Sequence, residues 1–138
     1  MAINQKNKIV TTKKILVVED GKIIRQLLKR ILEKDGHSIA VSFSAEEALK
    51  MSEKSQFDLI IADIKLPKMD GIEFYKLLVQ IRPELKRRFI FISGAIPQNV
   101  IDFTNKTENR YLQKPFRQFA IRKMISDIFI DNANMNIR

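Results

Sequence analysis

Phe57-Asp58-Leu59-Ile60-Ile61-Ala62-Asp63, continued by Ile64-Lys65-Leu66-Pro67-Lys68-Met69-Asp70-Gly71, decides the fold. Phe57 to Ala62 is an apolar run broken only by Asp58, the pattern of a strand covered on both faces. A carboxylate, Asp63, stands directly after it. A loop rich in Pro and Gly follows, Leu66 to Gly71. Ile72, Tyr75, Leu78, Val79 and Arg82 then outline a helix that Pro83 closes. The stretch is therefore a buried strand, a loop and a helix, with an acid at the carboxyl end of the strand.

The same unit recurs on either side. Ile15 to Val18 is a short β-branched run, followed by Ile23, Ile24, Leu27, Leu28, Ile31 and Leu32 at helical spacing, with Gly36 as the stop. Ser38 to Phe43 reads as a second strand. Ser44 with Glu47 three positions on predicts a capping box for a helix through Ala48 and Met51. Downstream, Phe89 to Ile92 is a fourth strand, 97–106 a helix, Tyr111 to Gln113 a short fifth strand and Phe116 to Ile130 a final amphipathic helix. Strand and helix alternate five times. Short connections then require right-handed crossovers and a parallel sheet with helices on both faces. Residues 1–12 are expected to be a flexible arm, 13–130 the domain, and 131–138 a frayed tail.

The chain has 138 residues, enough for one domain with a real core. It contains no cysteine and one histidine, His37. Disulfide frameworks, thiolate metal sites and multi-histidine zinc sites are thereby excluded. His37 follows the first helix and is expected on the surface. No stretch is long and apolar enough to span a bilayer, and no signal segment is evident, so a cytoplasmic location and no membrane partner are expected. The formal net charge is +9. The basic residues are spread along the sequence without an aromatic-interleaved motif, so nucleic acid is not the expected partner.

In parallel α/β sheets, ligands bind beyond the carboxyl ends of the strands. Four sets of residues stand there: Glu19-Asp20, Asp63, Ser93-Gly94 and Lys114-Pro115. Each set alone is ordinary: acidic residues cap helices, and Asp, Ser and Gly make turns. All four in order, each at the end of its own strand, is not ordinary. Three carboxylates at one end would repel; a like-charged pair about 4 Å apart costs on the order of 4 kcal/mol at an effective dielectric of 20. Lys114 and a hard divalent cation would offset this, and Mg²⁺ fits an all-oxygen donor set better than zinc. Asp63 is then a nucleophile toward phosphorus, needing no general base because it carries no proton. Lys114, the Ser93 hydroxyl and the amides of Ile64 and Gly94 are expected to hold the transferring phosphoryl oxygens.

These residues resemble the response-regulator receiver domains of two-component signalling. The similarity rests on Ile15-Leu16-Val17-Val18-Glu19-Asp20, on the whole run from Asp63 to Gly71, on Phe91-Ile92-Ser93-Gly94-Ala95 and on Tyr111-Leu112-Gln113-Lys114-Pro115-Phe116. It extends over about residues 13–130. The resemblance implies a flavodoxin-like α/β fold with strand order 2-1-3-4-5. It implies Asp63 as phosphoacceptor, and Mg²⁺ held by Glu19, Asp20, Asp63 and the Lys65 backbone carbonyl. Ser93 and Tyr111 take the hydroxyl and aromatic switch positions. Lys114 contacts the phosphoryl group, and its bond to Pro115 is expected to be cis.

The implied donor is a phosphohistidine on a sensor histidine kinase or a histidine phosphotransfer protein. The implied output is a protein target at the face of the fourth helix, fifth strand and fifth helix. Lys106, Arg110, Arg117, Arg122 and Lys123 are expected to decorate that face and suit an acidic partner. Glu19 stands where Asp is commoner. Self-phosphorylation with Mg²⁺ and slow self-dephosphorylation are also implied. A phosphatase with an aspartyl nucleophile is the rival, but it needs a second Asp two residues on, where this chain has Lys65. A transcription factor is a further rival. The last helix leaves no room for a DNA-binding domain, so regulation is expected to pass through a separate protein.

Overall fold

The computed structural model describes residues 2–3, 9–10 and 12–137, with side chains from 12 to 130. Five parallel strands form the sheet: β1 (Lys14–Val18), β2 (Ser38–Ser42), β3 (Leu59–Asp63), β4 (Phe89–Ser93) and β5 (Arg110–Gln113). Their spatial order is β2-β1-β3-β4-β5, as expected. Helices α1 (Lys22–Lys34), α2 (Ala45–Lys54), α3 (Gly71–Ile81), α4 (Gln98–Thr107) and α5 (Gln118–Ile137) fill the crossovers. A further antiparallel pair, Ala2–Ile3 with Ile9–Val10, lies in the arm and outside this sheet. Most of the arm expected to be flexible falls outside the described residues.

The alternating side chains of the strands divide the core in two. Leu16, Val18, Ile60, Ala62, Phe89 and Phe91 face α2, α3 and α4. Ile15, Val17, Leu59, Ile61, Ile90 and Ile92 face α1 and α5. Every residue of β3 and β4 is buried, which is why these strands read as unbroken apolar runs rather than alternating ones.

Several boundaries differ from the sequence reading. Phe57 and Asp58 precede β3. The Asp58 carboxylate accepts the Lys14 N–H at 2.8 Å, while its own N–H donates to the Lys14 carbonyl at 2.7 Å. Asp58 therefore ties the two strand entrances together. Half of the capping box forms: Ser44 Oγ accepts the Glu47 N–H at 3.1 Å, but the Ser44 N–H donates to Ser42 Oγ at 3.3 Å. His37 is half-buried rather than on the surface, and its Nδ1 accepts the Lys13 N–H at 3.0 Å. Helix α5 starts two residues later than Phe116 and runs beyond Ile130 through the expected tail to Ile137. Neither Gly nor Pro lies in 131–137 to stop it. No described helix is long and apolar enough to cross a membrane.

Candidate functional site

The register of a parallel sheet brings all strand carboxyl ends to one edge. Val18 pairs with Ala62, Asp63 with Ile92, and Ser93 with Gln113. The residues just beyond these positions therefore meet. Glu19, Asp20 and Asp63 each offer a carboxylate oxygen within 4.8 Å of the others. Glu19 and Asp63 are buried and Asp20 is exposed. Lys114 comes in from beyond β5 after its N–H bonds to the Ser93 carbonyl at 2.8 Å. Its Nζ donates to Asp63 Oδ2 at 2.7 Å and lies 2.5 Å from Glu19 Oε1. The next peptide bond, Lys114–Pro115, is cis.

Asp63 is held at both oxygens, since Oδ1 accepts the Lys65 N–H at 2.9 Å. This corrects the expectation for the Ile64 amide. The Ile64 N–H extends the ladder to the Ile92 carbonyl at 2.9 Å and is not free for an anion; the amide that faces Asp63 belongs to Lys65. No described residue donates to the Lys65 carbonyl, and the Gly94 N–H has no described acceptor. Ser93 is fully buried, with its hydroxyl 3.4 Å from the Ala95 N–H. Tyr111 is half-buried against the core on the α4 side, and its hydroxyl bonds to no described residue.

The loop after Asp63 is shaped by a close approach. A Cβ on Gly71 would meet the Asp63 carbonyl at 2.4 Å. The Gly71 N–H donates to the Ile64 carbonyl at 2.8 Å, and Asp70 caps α3 through the Glu73 N–H at 2.9 Å. Helix α3 thus begins directly against the backbone of Asp63. Sequence reading had marked the loop without this reason for its glycine.

Burial raises the Glu19 carboxyl above the usual carboxylate range, against the pull of Lys114 and the Gly21 amide. Burial works to lower the Lys114 ammonium, but Asp63 and Glu19 overrule it and hold it above its ordinary value. Lys114 therefore stays charged at neutral pH. Glu19 Oε1 is buried, and its one polar contact among the described residues is the ion pair with the Lys114 ammonium that Asp63 also uses. Three carboxylates face one ammonium, leaving the pocket formally two positive charges short. A buried carboxylate that shares its one ammonium with Asp63, an all-oxygen donor set and this imbalance fit a hard divalent cation.

Fold and site together define a doubly wound α/β protein with an acidic, oxygen-lined pocket at the topological switch of its sheet. Residues 15–126 match the response regulator receiver domain, and the chain belongs to that family. It is 32% identical over 116 residues to the response regulator receiver protein CpdR of Brucella abortus, covering 84% of this chain and 93% of CpdR. It is 48% identical over 68 residues to the alkaline phosphatase synthesis transcriptional regulatory protein PhoP of Bacillus subtilis, covering 49% of this chain and 28% of PhoP. Among solved structures, a CheY-like receiver domain protein from Methanospirillum hungatei superposes with a TM-score of 0.81 at 27% identity, covering 91% of this chain and 99% of that one. The chain is accordingly a receiver domain of two-component signalling.

Proposed function

We propose that Asp63 is the phosphoacceptor of this receiver and that Mg²⁺ sits on Glu19, Asp20, Asp63 and the Lys65 carbonyl. The observation that carries this reading is the shared pocket of Asp63, Glu19, Asp20 and Lys114. When bound, the ion supplies charge neutralisation for the phosphoryl oxygens. A lone pair on an Asp63 carboxylate oxygen forms the O–P bond while the P–N bond to the donor imidazole breaks. The electron pair stays on the imidazole nitrogen, which takes a proton from water. Lys114, already on Asp63 Oδ2, moves its ammonium to a phosphoryl oxygen. The Ser93 hydroxyl and the Lys65 and Gly94 amides donate to the others.

The donor is the phosphohistidine of a sensor histidine kinase or phosphotransfer protein in the cytoplasm. With a small acyl phosphate the same pocket phosphorylates itself slowly, and water later removes the group. The added charge draws Ser93 toward Asp63, and Tyr111 turns into the space vacated, reshaping the α4–β5–α5 face for a protein target. Arg122 does not serve that face. Its Nε bonds to Asp35, just past the end of α1, at 2.7 Å.

The test is incubation with Mg²⁺ and acetyl phosphate, reading intact mass for the wild type and Asp63→Asn. A phosphoryl mass gain in the wild type alone supports the reading. No gain, or an equal gain in both, overturns it.

A further inference from the structure

We propose that Arg25 is a positioning residue for the acidic pair, and that divalent-cation binding depends on its hydrogen bonds rather than on its charge. The inference rests on the reading of the carboxylate cluster as a metal site. Arg25 stands in the second turn of α1, and its own N–H bonds to the Gly21 carbonyl at 3.0 Å. Its side chain runs back toward the helix N-terminus, the direction helical side chains take. There Nη1 donates to the Glu19 carbonyl at 2.8 Å and to the Asp20 carbonyl at 3.3 Å.

The loop has few other restraints. Glu19 is anchored by its N–H to the Ser42 carbonyl at 3.0 Å and by its Oε2 to the Gly21 N–H at 3.0 Å. For Asp20, the bond from Arg25 is the single hydrogen bond within the described residues. Helix α1 also has no side-chain N-cap and no acid in its first turn, so beyond the Glu19 bonds the Arg25 guanidinium is what ties the loop to the helix. Arg25 is half-buried, which limits the water available to replace its bonds. Its guanidinium touches carbonyls, not carboxylates, so it leaves the oxygens of Glu19 and Asp20 open toward Asp63 while fixing the backbone that carries them.

Charge and position make opposite predictions, which makes the idea testable. A guanidinium beside a dication repels it, so removing it for electrostatic reasons alone would tighten binding. Removing a group that orients metal ligands weakens binding, typically by about tenfold or more. The experiment is calorimetric titration of Mg²⁺ into the full chain, wild type and the variants Arg25→Met and Arg25→Lys. Urea unfolding without metal reports the fold of each, and Mn²⁺ paramagnetic relaxation checks the ligand set independently.

The expected result is about tenfold weaker binding in Arg25→Met, with a smaller loss in Arg25→Lys, which keeps the charge and one donor. Equal or tighter binding in a folded Arg25→Met overturns the inference and leaves the metal site standing. If Arg25→Met does not fold, Arg25→Lys decides: binding unchanged from wild type sinks the proposal. A wild type that binds no divalent cation removes the metal site itself, and the inference with it.

Discussion

At the residue scale, what could be read ahead was side-chain chemistry, and what could not was how the backbone is used. Glu19, Asp20, Asp63 and Lys114 were legible because a parallel sheet sends every strand end to one edge, so residues far apart in sequence become neighbours by topology alone. The Ile64 amide misled because one residue decides whether an N–H continues a ladder or faces an anion. Arg25 carried no signal: an arginine in an exposed-looking helical turn reads as a solvated charge. His37 was misplaced for a related reason, its acceptor role depending on a partner 24 residues away. That role has a pH consequence. Burial lowers the His37 pKa below the ordinary 6.5, with Asp35 opposing and Lys13 assisting the shift; Arg122 in turn pairs with Asp35. With the folded value depressed, the unfolded chain binds the proton first as pH falls. The neutral-imidazole stabilisation is complete above the unfolded value and is lost as pH drops through the folded one. Urea midpoints compared between about pH 7.5 and pH 5 should fall less in His37→Gln, whose amide oxygen accepts the same N–H without titrating. Parallel slopes in the two proteins would contradict it.

At the element scale, periodicity found every strand and helix of the main sheet, and the errors sit at ends where side chains bond to backbone. Asp58 stands outside β3, its carboxylate taking the Lys14 N–H. Ser44 caps α2 without reciprocity because Ser42 takes its N–H. Helix α5 overran its expected end because 131–137 contain neither Gly nor Pro to stop it. The loop between β3 and α3 shows the converse, a glycine fixed by packing. At Gly71 the constraint is contact rather than a left-handed φ: a Cβ would fall 2.4 Å from the Asp63 carbonyl oxygen and 3.0 Å from the Ile64 Cα, both backbone atoms that cannot swing aside. Gly71→Ala must push α3 away from the Asp63 peptide. A loss of about 1–3 kcal/mol in unfolding free energy is expected, together with slower phosphorylation by acetyl phosphate, because the strain falls on Asp63 itself. Gly94→Ala is the control, since its Cβ would meet nothing within 4 Å. Equal stability of the two variants would show that α3 has slack the geometry denies it.

At the scale of the whole molecule, the question is which part can move when the site changes charge. Helices α3 and α4 share one half of the core but are not equally secured. Helix α3 buries Gly71, Phe74, Tyr75 and Leu78, whereas α4 buries only Val100 and Thr104 and has no side-chain N-cap. Beside Val100, α4 packs on this half through one ring. Phe103 meets Tyr75 edge-on at 5.3 Å and Phe91 at 5.5 Å, inside a group of aromatics that also includes Phe74 and Phe89. Few buried contacts and an uncapped end put α4 at the low-stability end of the structure, the end from which moving parts are drawn. Phe103→Ala should therefore cost about 2–4 kcal/mol, toward the low end for a buried ring because Phe103 is only partly covered. The loss should be uneven. Amide exchange ought to rise first and most in 98–107, while β1, β3 and β4 keep the protection of the global core. A uniform rise across the sheet would mean that α4 unfolds only with everything else, and the proposed switch would then have to move a different element.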